Sequence, residues 1–214
     1  GEKLYCNVNP PEDMGWERDP DTLDTWFSSG LWTFSTLGWP NKTKDLQTHH
    51  PTDVMETAYE ILFFWVARMI LMTTALVGEI PFKTVYLHGL VRDEKRQKLS
   101  KSKADSADPL DLIEKFGADA LRFALVFNSA PGTDSILSEE KIKGMKHFGN
   151  KLWNIARFVL SNSANEIDIV IKPEGITDAD KNIITSLNET ILKTTKYLDT
   201  FQLHEAAQEL YQFT

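Results

Sequence analysis

The spacing of apolar residues changes several times along this chain, and each change marks a different element. Residues 1–22 carry little periodicity and many Pro, Asp and Glu, which predicts an irregular lead-in with one strand at Lys3 to Val8. Leu23 to Phe27 predicts a short strand. Residues 30–50 predict loop and turns, with Trp32, Phe34, Leu37 and Trp39 supplying burial. From Thr52-Asp53 the pattern predicts a long helix, because Ile61, Phe64, Trp65, the stem of Arg68, Met69 and Met72 recur at helical spacing. Gly78 and Pro81 end it. A buried strand over 83–88 follows, within the run Thr84-Val85-Tyr86-Leu87-His88-Gly89-Leu90. Strand, helix, strand in that order predicts a parallel pair with a right-handed crossover, the closing half of an α/β sheet.

The rest of the chain reads as helix. Asp108-Pro109 is a cap followed by a first-turn proline, and Leu110, Ile113 and Phe116 form the predicted apolar stripe. Gly117 stops that helix, and Ala118 to Phe127 predicts a second with Leu121, Ala124 and Leu125 inward. After the break Ser129-Ala130-Pro131-Gly132-Thr133-Asp134, a third helix runs from Ser138 to about Leu160. Its Ile142, Met145, Leu152, Ile155 and Val159 are expected on the buried side. A turn-rich stretch through Pro173 and Gly175 precedes a helix from Asp178 to about Leu198 and another from His204. The carboxyl-terminal third is therefore expected to be an α-bundle, and both it and the half-sheet are expected to be parts of something longer.

Composition narrows the function classes. The chain has 214 residues, 42% of them hydrophobic and 25% charged, which is ordinary for a globular protein. The apolar stretch Ile61 to Val77 contains Arg68 and is expected to be a core helix rather than a membrane span. A single cysteine, Cys6, excludes an internal disulfide and a Cys-rich zinc site, and a reducing cytoplasm fits it. The net charge of −8 argues against a general nucleic-acid coat, so any RNA contact must come from local basic patches. His49, His50, His88, His147 and His204 show no metal-ligand spacing, and no protein-bound metal is expected.

The densest chemistry follows the strand at 83–88. A basic loop, Arg92-Asp93-Glu94-Lys95-Arg96-Gln97, leads into Lys98-Leu99-Ser100-Lys101-Ser102. A strand thus delivers ammonium groups and small hydroxyls to the carboxyl edge of a sheet, where open α/β folds bind ligands. Lysines give point charge and serines give short hydrogen bonds, a combination suited to polyphosphate.

These residues resemble the KMSKS signature of class I aminoacyl-tRNA synthetases, with Leu99 for the usual Met. Asp24-Thr25-Trp26-Phe27-Ser28-Ser29 with Ser35-Thr36-Leu37-Gly38-Trp39-Pro40, and the helix Ile61-Leu62-Phe63-Phe64-Trp65-Val66-Ala67-Arg68, resemble blocks of the valyl-tRNA synthetases. Gly149-Asn150-Lys151-Leu152-Trp153-Asn154 resembles the start of their anticodon-binding domain. The blocks stand in family order along nearly the whole chain. The resemblance implies an α/β plus all-α fold: a carboxyl-side part of a Rossmann-like catalytic domain over 1–103, a helical stem-contact connector over 104–137, and a partial anticodon-binding bundle over 138–214. Neither the HIGH-type signature nor an editing domain is found, so the chain is expected to be a fragment that is not competent alone.

By the same resemblance, the activity is ATP-dependent activation of valine and its transfer to tRNA(Val), with magnesium arriving on ATP. Lys98 and Lys101 are the expected catalytic cations, with Ser100 shaping their loop. His88 and Gly89 are expected against adenine, although a glycine there also serves simply to end a strand. Glu60 is expected at the ribose, in an Ala58-Tyr59-Glu60 sequence where the family has Gly-x-Asp. Trp26, Ile61 and Trp65 are the expected amino-acid pocket, Ile61 and Trp65 sharing a helical face four residues apart. Lys143, Lys146, Lys151 and Arg157 form a cationic stretch expected to meet the tRNA backbone. Lys101-Ser102-Lys103-Ala104-Asp105 departs from the family's KSKGN, losing a glycine and gaining an acid. The runners-up are an isoleucyl enzyme fragment and a non-catalytic tRNA-docking module. Nothing in the sequence sets the oligomeric state, for which a monomer is the expectation.

Overall fold

The computed structural model describes residues 4–13, 15–97, 108–162 and 177–214. It divides into two compact units, Gly1–His50 with Phe64–Pro81, and Pro51–Phe63 with Phe82–Thr214. The predicted strand at Lys3 to Val8 is not found over the described residues 4–8.

In the first unit, Thr25–Gly30 is a helix, α1, where the sequence predicts a strand. The reason is local: the Asp24 side chain accepts a hydrogen bond from the Trp26 N–H at 3.1 Å, an N-cap that stabilises the first turn. Two more short helices, α2 (Trp32–Ser35) and α3 (Lys44–His49), replace part of the predicted loop over 30–50. Thr43 caps α3 by accepting from the Leu46 N–H at 3.1 Å. The core helix α4 (Ala67–Leu76) packs against α1 and α2. Phe34, Val66 and Met69 are fully buried there, each side chain contributing roughly 1.5–3 kcal/mol. A buried hydroxyl pair, Thr33 with Thr73 at 2.8 Å, satisfies both polar groups within this core. Gly30 lets the backbones approach: a Cβ there would lie 3.3 Å from Met72 Cγ. By length and apolarity Tyr59–Leu76 could cross a membrane. Its Val66, Met69 and Thr73 face inward at helical spacing, while Phe63, Leu71 and Leu76 on its other faces are exposed.

The second unit opens with the largest departure from the predicted elements. Thr52–Ala58 is a strand, β1, not the beginning of a helix. It pairs in parallel with β2 (Phe82–His88), from Thr52 opposite Phe82 to Ala58 opposite His88. The helical spacing of apolar residues starts only at Ile61, so tertiary pairing decides residues 52–58. Between the strands come a 3-10 turn (Tyr59–Ile61), a π-helical turn (Leu62–Val66) and α4. Beyond β2, the two-residue strand β3 (Val91–Arg92) pairs in parallel with β4 (Ser135–Ile136).

Helices α5 (Pro109–Phe116), α6 (Ala118–Val126), α7 (Glu139–Asn162), α8 (Asp178–Asp199) and α9 (Leu203–Phe213) complete the unit. The predicted cap is in place, Asp108 accepting from the Leu110 N–H at 2.8 Å with Pro109 in the first turn. The buried stripe of α5 is Leu112 and Phe116; Leu110 and Ile113, predicted inside, are exposed. In α6, Ala120, Leu121 and Ala124 face the core while Leu125 is exposed. Ile142 and Met145 of α7 close this core. Phe127, Phe148 and Tyr211 join α6, α7 and α9 through ring contacts of 4.8–5.0 Å. Leu152, Ile155 and Val159, expected on the buried side of α7, are exposed, because the helix runs on past the residues that meet α5 and α6.

One close approach fastens this unit. A Cβ on Gly89 would lie 1.9 Å from the Thr133 carbonyl oxygen and 2.6 Å from the Asp134 nitrogen. Main chain cannot yield as a side-chain tip can, so only glycine fits. Around it, the Gly132 N–H donates to the Leu87 carbonyl at 2.9 Å and the Ser135 N–H to the Leu90 carbonyl at 3.0 Å. Gly89→Ala should therefore destabilise the fold by about 1–3 kcal/mol, the cost of overpacking. Gly144→Ala, in α7 with open space around it, should stabilise by about 0.5–1 kcal/mol. Denaturant midpoints of the two variants check the opposite signs; equal midpoints would remove the close approach.

Candidate functional site

The register of β1 and β2 brings their carboxyl ends level, so Tyr59-Glu60 and Gly89-Leu90 leave the sheet at one edge. At that edge His88 Nε2 lies 3.1 Å from Glu56 Oε1 on the neighbouring strand. Its Nδ1 lies 2.8 Å from the Gly89 carbonyl oxygen, which only accepts, so Nδ1 is the donor. The Nδ1–H contact thus fixes the ring, and Nε2 donates to Glu56 when the ring is protonated. Tyr86 is nearby on β2, its phenol pushed above its usual pKa by burial and then by the Glu56 carboxylate.

Of the residues expected at a nucleotide, Glu60, His88 and Gly89 share this edge. Glu60 is exposed, in the 3-10 turn directly after β1. Gly89 has a reason the sequence does not disclose. The space a side chain would take is filled by the Thr133–Asp134 backbone, so a flat base can approach only from another side. Lys98, Ser100 and Lys101 of the signature, and Ala104 and Asp105 beyond it, lie outside the described residues.

The amino-acid candidates divide between the units. Trp26 and Trp65 belong to the first and Ile61 to the second. The Trp65 indole N–H donates to the Ser29 carbonyl at 3.0 Å, tying the π-helical turn to α1. Trp26 stacks on Phe64, ring centres 5.9 Å apart, and also lines an apolar hollow of about 300 Å³ with Phe27, Leu71 and Met72. Ile61 closes the 3-10 turn and Trp65 lies in the π-helical turn after it, so their four-residue spacing is not that of a regular α-helix. The shared face expected from the sequence assumes 3.6 residues per turn. π-Helical turns inside α-helices are frequent at functional sites.

On α7, Lys143, Lys146, Lys151 and Arg157 are all exposed. Lys146 Nζ also donates to the Lys115 carbonyl at the end of α5, at 3.3 Å, so it has a structural task as well. Lys141 stands apart, half-buried, its ammonium held below its usual pKa by desolvation. Among the described residues, no group of three or more His, Cys, Asp and Glu could hold a metal ion.

Sequence reasoning overlooks a hub at Asp134. One carboxylate oxygen accepts from the Leu90 N–H at 2.8 Å and the Tyr59 hydroxyl at 3.1 Å; the other accepts from Arg92 Nε at 2.5 Å. The Leu90 N–H, and then Arg92, hold this carboxyl below the usual carboxylate range. The links are thus fully present at neutral pH and are lost only as pH falls through that lowered value. An aspartate ending a turn-rich break carries no periodic signal. Its only cue was an acidic residue just ahead of the two-residue strand β4.

Residues 7–138 match the family model of the tRNA synthetases class I (I, L, M and V). A valine–tRNA ligase of Dehalococcoides mccartyi (strain CBDB1) is 47% identical over 218 residues, covering 100% of this chain and 25% of the relative. That of Bacillus subtilis (strain 168) is 46% identical over 217 residues, covering 99% of this chain and 24% of the relative. The chain spans about a quarter of the length of the curated relatives it matches. Among solved structures, a ternary LeuRS–tRNA–LeuAMS complex from Agrobacterium radiobacter K84 aligns with a TM-score of 0.73 at 23% identity. The alignment covers 92% of this chain and 27% of that one. Methionyl-tRNA synthetase of Mycobacterium tuberculosis with methionyl-adenylate aligns with a TM-score of 0.70 at 24% identity, over 88% of this chain and 37% of that one. These two likenesses establish the α/β-plus-helical fold. Since the family model takes in more than half of the residues, the chain belongs to the class I tRNA synthetases, in the group that comprises I, L, M and V.

Proposed function

We propose that this chain is part of a valine–tRNA ligase, running from the second half of the nucleotide fold into the tRNA-binding helices. The observation that carries the reading is identity of 46–47% to valine–tRNA ligases along essentially the whole chain. On this reading the parts are catalytic over 1–103, a stem-contact connector over 104–137 and a partial anticodon-binding bundle over 138–214. The end of the family match at residue 138 supports the last division. A role in translation goes with cytoplasmic localisation.

The reaction joins the valine carboxylate to the α-phosphate of ATP with loss of pyrophosphate, then passes the valyl group to the 3′ end of tRNA(Val). The protein supplies position and charge rather than covalent chemistry. Lys98 and Lys101 neutralise the β- and γ-phosphates as the leaving pyrophosphate gains charge, and magnesium comes bound to ATP. Glu60 meets the ribose, and His88, its ring fixed through Nδ1–H, meets adenine together with the open side of Gly89. Trp26 and Trp65 select valine, with Ile61 as the third residue implied by the family resemblance. Lys143, Lys146, Lys151 and Arg157 meet the tRNA backbone.

In the full-length enzyme that contains this chain, Lys101→Ala should slow valine-dependent pyrophosphate exchange by at least ~100-fold while valine still binds. Exchange at a near-normal rate would take Lys101 out of the active site. Trp65→Leu should reduce the preference for valine over isoleucine by about tenfold or more, the worth of one methylene in an apolar pocket. An unchanged ratio in a folded variant returns Trp65 to the role of an α1 anchor. For tRNA, Lys143→Gln with Lys151→Gln avoids Lys146, which also holds α5. That pair should weaken tRNA binding and flatten its salt dependence by about 1–2 units of log–log slope, with valine activation retained. An unaltered slope places the docking surface elsewhere.

A further inference from the structure

The Asp134 hub does not stop at the strand edge. Arg92, whose Nε meets Asp134 Oδ2 at 2.5 Å, also donates from Nη1 to the Arg96 carbonyl at 3.2 Å. Arg96 lies in a tight turn closed at its base. The Asp93 N–H donates to the Gln97 carbonyl at 2.9 Å, and the Gln97 N–H donates to Asp93 Oδ1 at 2.7 Å. Across the turn, the Arg96 N–H donates to the Asp93 carbonyl at 2.9 Å. Arg96 itself has φ of +60°, a left-handed conformation that a non-glycine residue keeps only when its surroundings hold it there. Gln97 is the residue directly before Lys98.

The opposite end of this chain of bonds is equally fixed. Asp134 is tied to the Leu90 N–H and the Tyr59 hydroxyl, and the Leu137 N–H donates to the Arg92 carbonyl at 3.0 Å through the β3–β4 pair. Arg92 and Asp134 are partly exposed, their side chains 31% and 26% accessible, so it is the geometry of the contacts rather than burial that holds the pair. The chemistry also selects arginine. One guanidinium addresses a carboxylate through Nε and a carbonyl through Nη1 at once; a lysine ammonium is a single point and cannot reproduce the fork.

We propose that Arg92 and Asp134 are positioning residues for the signature lysines. By clamping the Asp93–Gln97 turn to the 134–137 segment, they fix the point and direction from which Gln97 passes the chain to Lys98. The inference rests on the valine–tRNA ligase reading above and assigns that site residues outside the signature itself.

The test is a double-mutant comparison in the full-length enzyme, following valine-dependent pyrophosphate exchange, with Arg92→Gln, Arg92→Lys, Lys101→Ala and each Arg92 change combined with Lys101→Ala. Arg92→Gln should lower kcat by about 10- to 100-fold, the effect of displacing a catalytic group by about an ångström, with KM for valine within about twofold. Arg92→Lys keeps the charge facing Asp134 but loses the carbonyl contact, and should fall between Arg92→Gln and the parent. If Arg92 acts through the signature lysines, each double variant should be no more than about twofold slower than Lys101→Ala alone. Losses that multiply, or an Arg92→Lys enzyme within twofold of the parent while Lys101→Ala is crippled, overturn the positioning role and leave the functional reading standing. An exchange rate untouched by Lys101→Ala overturns both. Should Arg92→Gln fail to fold, Arg92→Lys and its double variant decide the matter alone.

Discussion

Parallel pairing of β1 with β2 is the constraint from which the arrangement of this edge follows. Parallel strands cannot be joined by a tight turn, so the chain must travel between them. It does so over residues 59–81, through a 3-10 turn, a π-helical turn and α4. The register from Thr52–Phe82 to Ala58–His88 leaves both strands ending at the same level. Residues that follow the two strands are then neighbours although thirty positions separate them in sequence. Glu56 reaches His88 across the same ladder, at the edge where open α/β sheets take ligands. Had Thr52–Ala58 been helical, none of these residues would meet.

Two paired strands alone make a marginal structure, and among the described residues this sheet has only β1 and β2. What secures it is the return of the chain at 130–137. Gly89 admits the Thr133–Asp134 backbone, the short β3–β4 pair extends the contact, and Asp134 gathers Leu90, Arg92 and Tyr59 onto one carboxylate. These bonds lie immediately before α7, so the residues leading into the long helix are tied through Arg92 to the Asp93–Gln97 turn.

The sequence disclosed the longer helices through local signals and β2 through its apolar run, and missed β1 and the short α1. Asp108-Pro109 and Gly117 delimit α5 in the chain and in the structure alike, because capping and glycine termination are local chemistry. The same chemistry was available at Asp24, where the cap outweighs the strand-like look of Leu23 to Phe27. β1 was illegible for a different reason: its partner lies thirty residues on, and its own side chains alternate only weakly between buried and exposed. Leu152, Ile155 and Val159 show the limit of periodicity from the other direction. Their spacing states which face of α7 is apolar and cannot state whether anything covers it. At the candidate site, His88 and Gly89 could be placed at the end of a strand from the sequence, whereas Glu60 entered only through the family resemblance, since its strand was read as helix. Asp134, Glu56 and Tyr59 were not legible, since what makes them matter is a contact that no local pattern encodes.

Net charge is the property of this chain that misleads most. At −8, the whole molecule should repel polyanions. Electrostatic reach in physiological salt is only about 8 Å, however, so a phosphate responds to the charges beside it and not to the total. Positive charge is concentrated in two stretches, Arg92 to Lys103 and Lys141 to Arg157, and the second holds no acid at all. The acids of α7 stand at Glu139 and Glu140, in its first turn, where a helix favours negative charge and where they leave the rest of the helix free for cations. Within the first stretch the acids have other work: Asp93 closes the turn before the signature through its hydrogen bond from the Gln97 N–H. The acidic surplus thus lies elsewhere along the chain. On the proposed reading, that separation along the sequence gives ATP and tRNA two cationic stretches within an acidic chain.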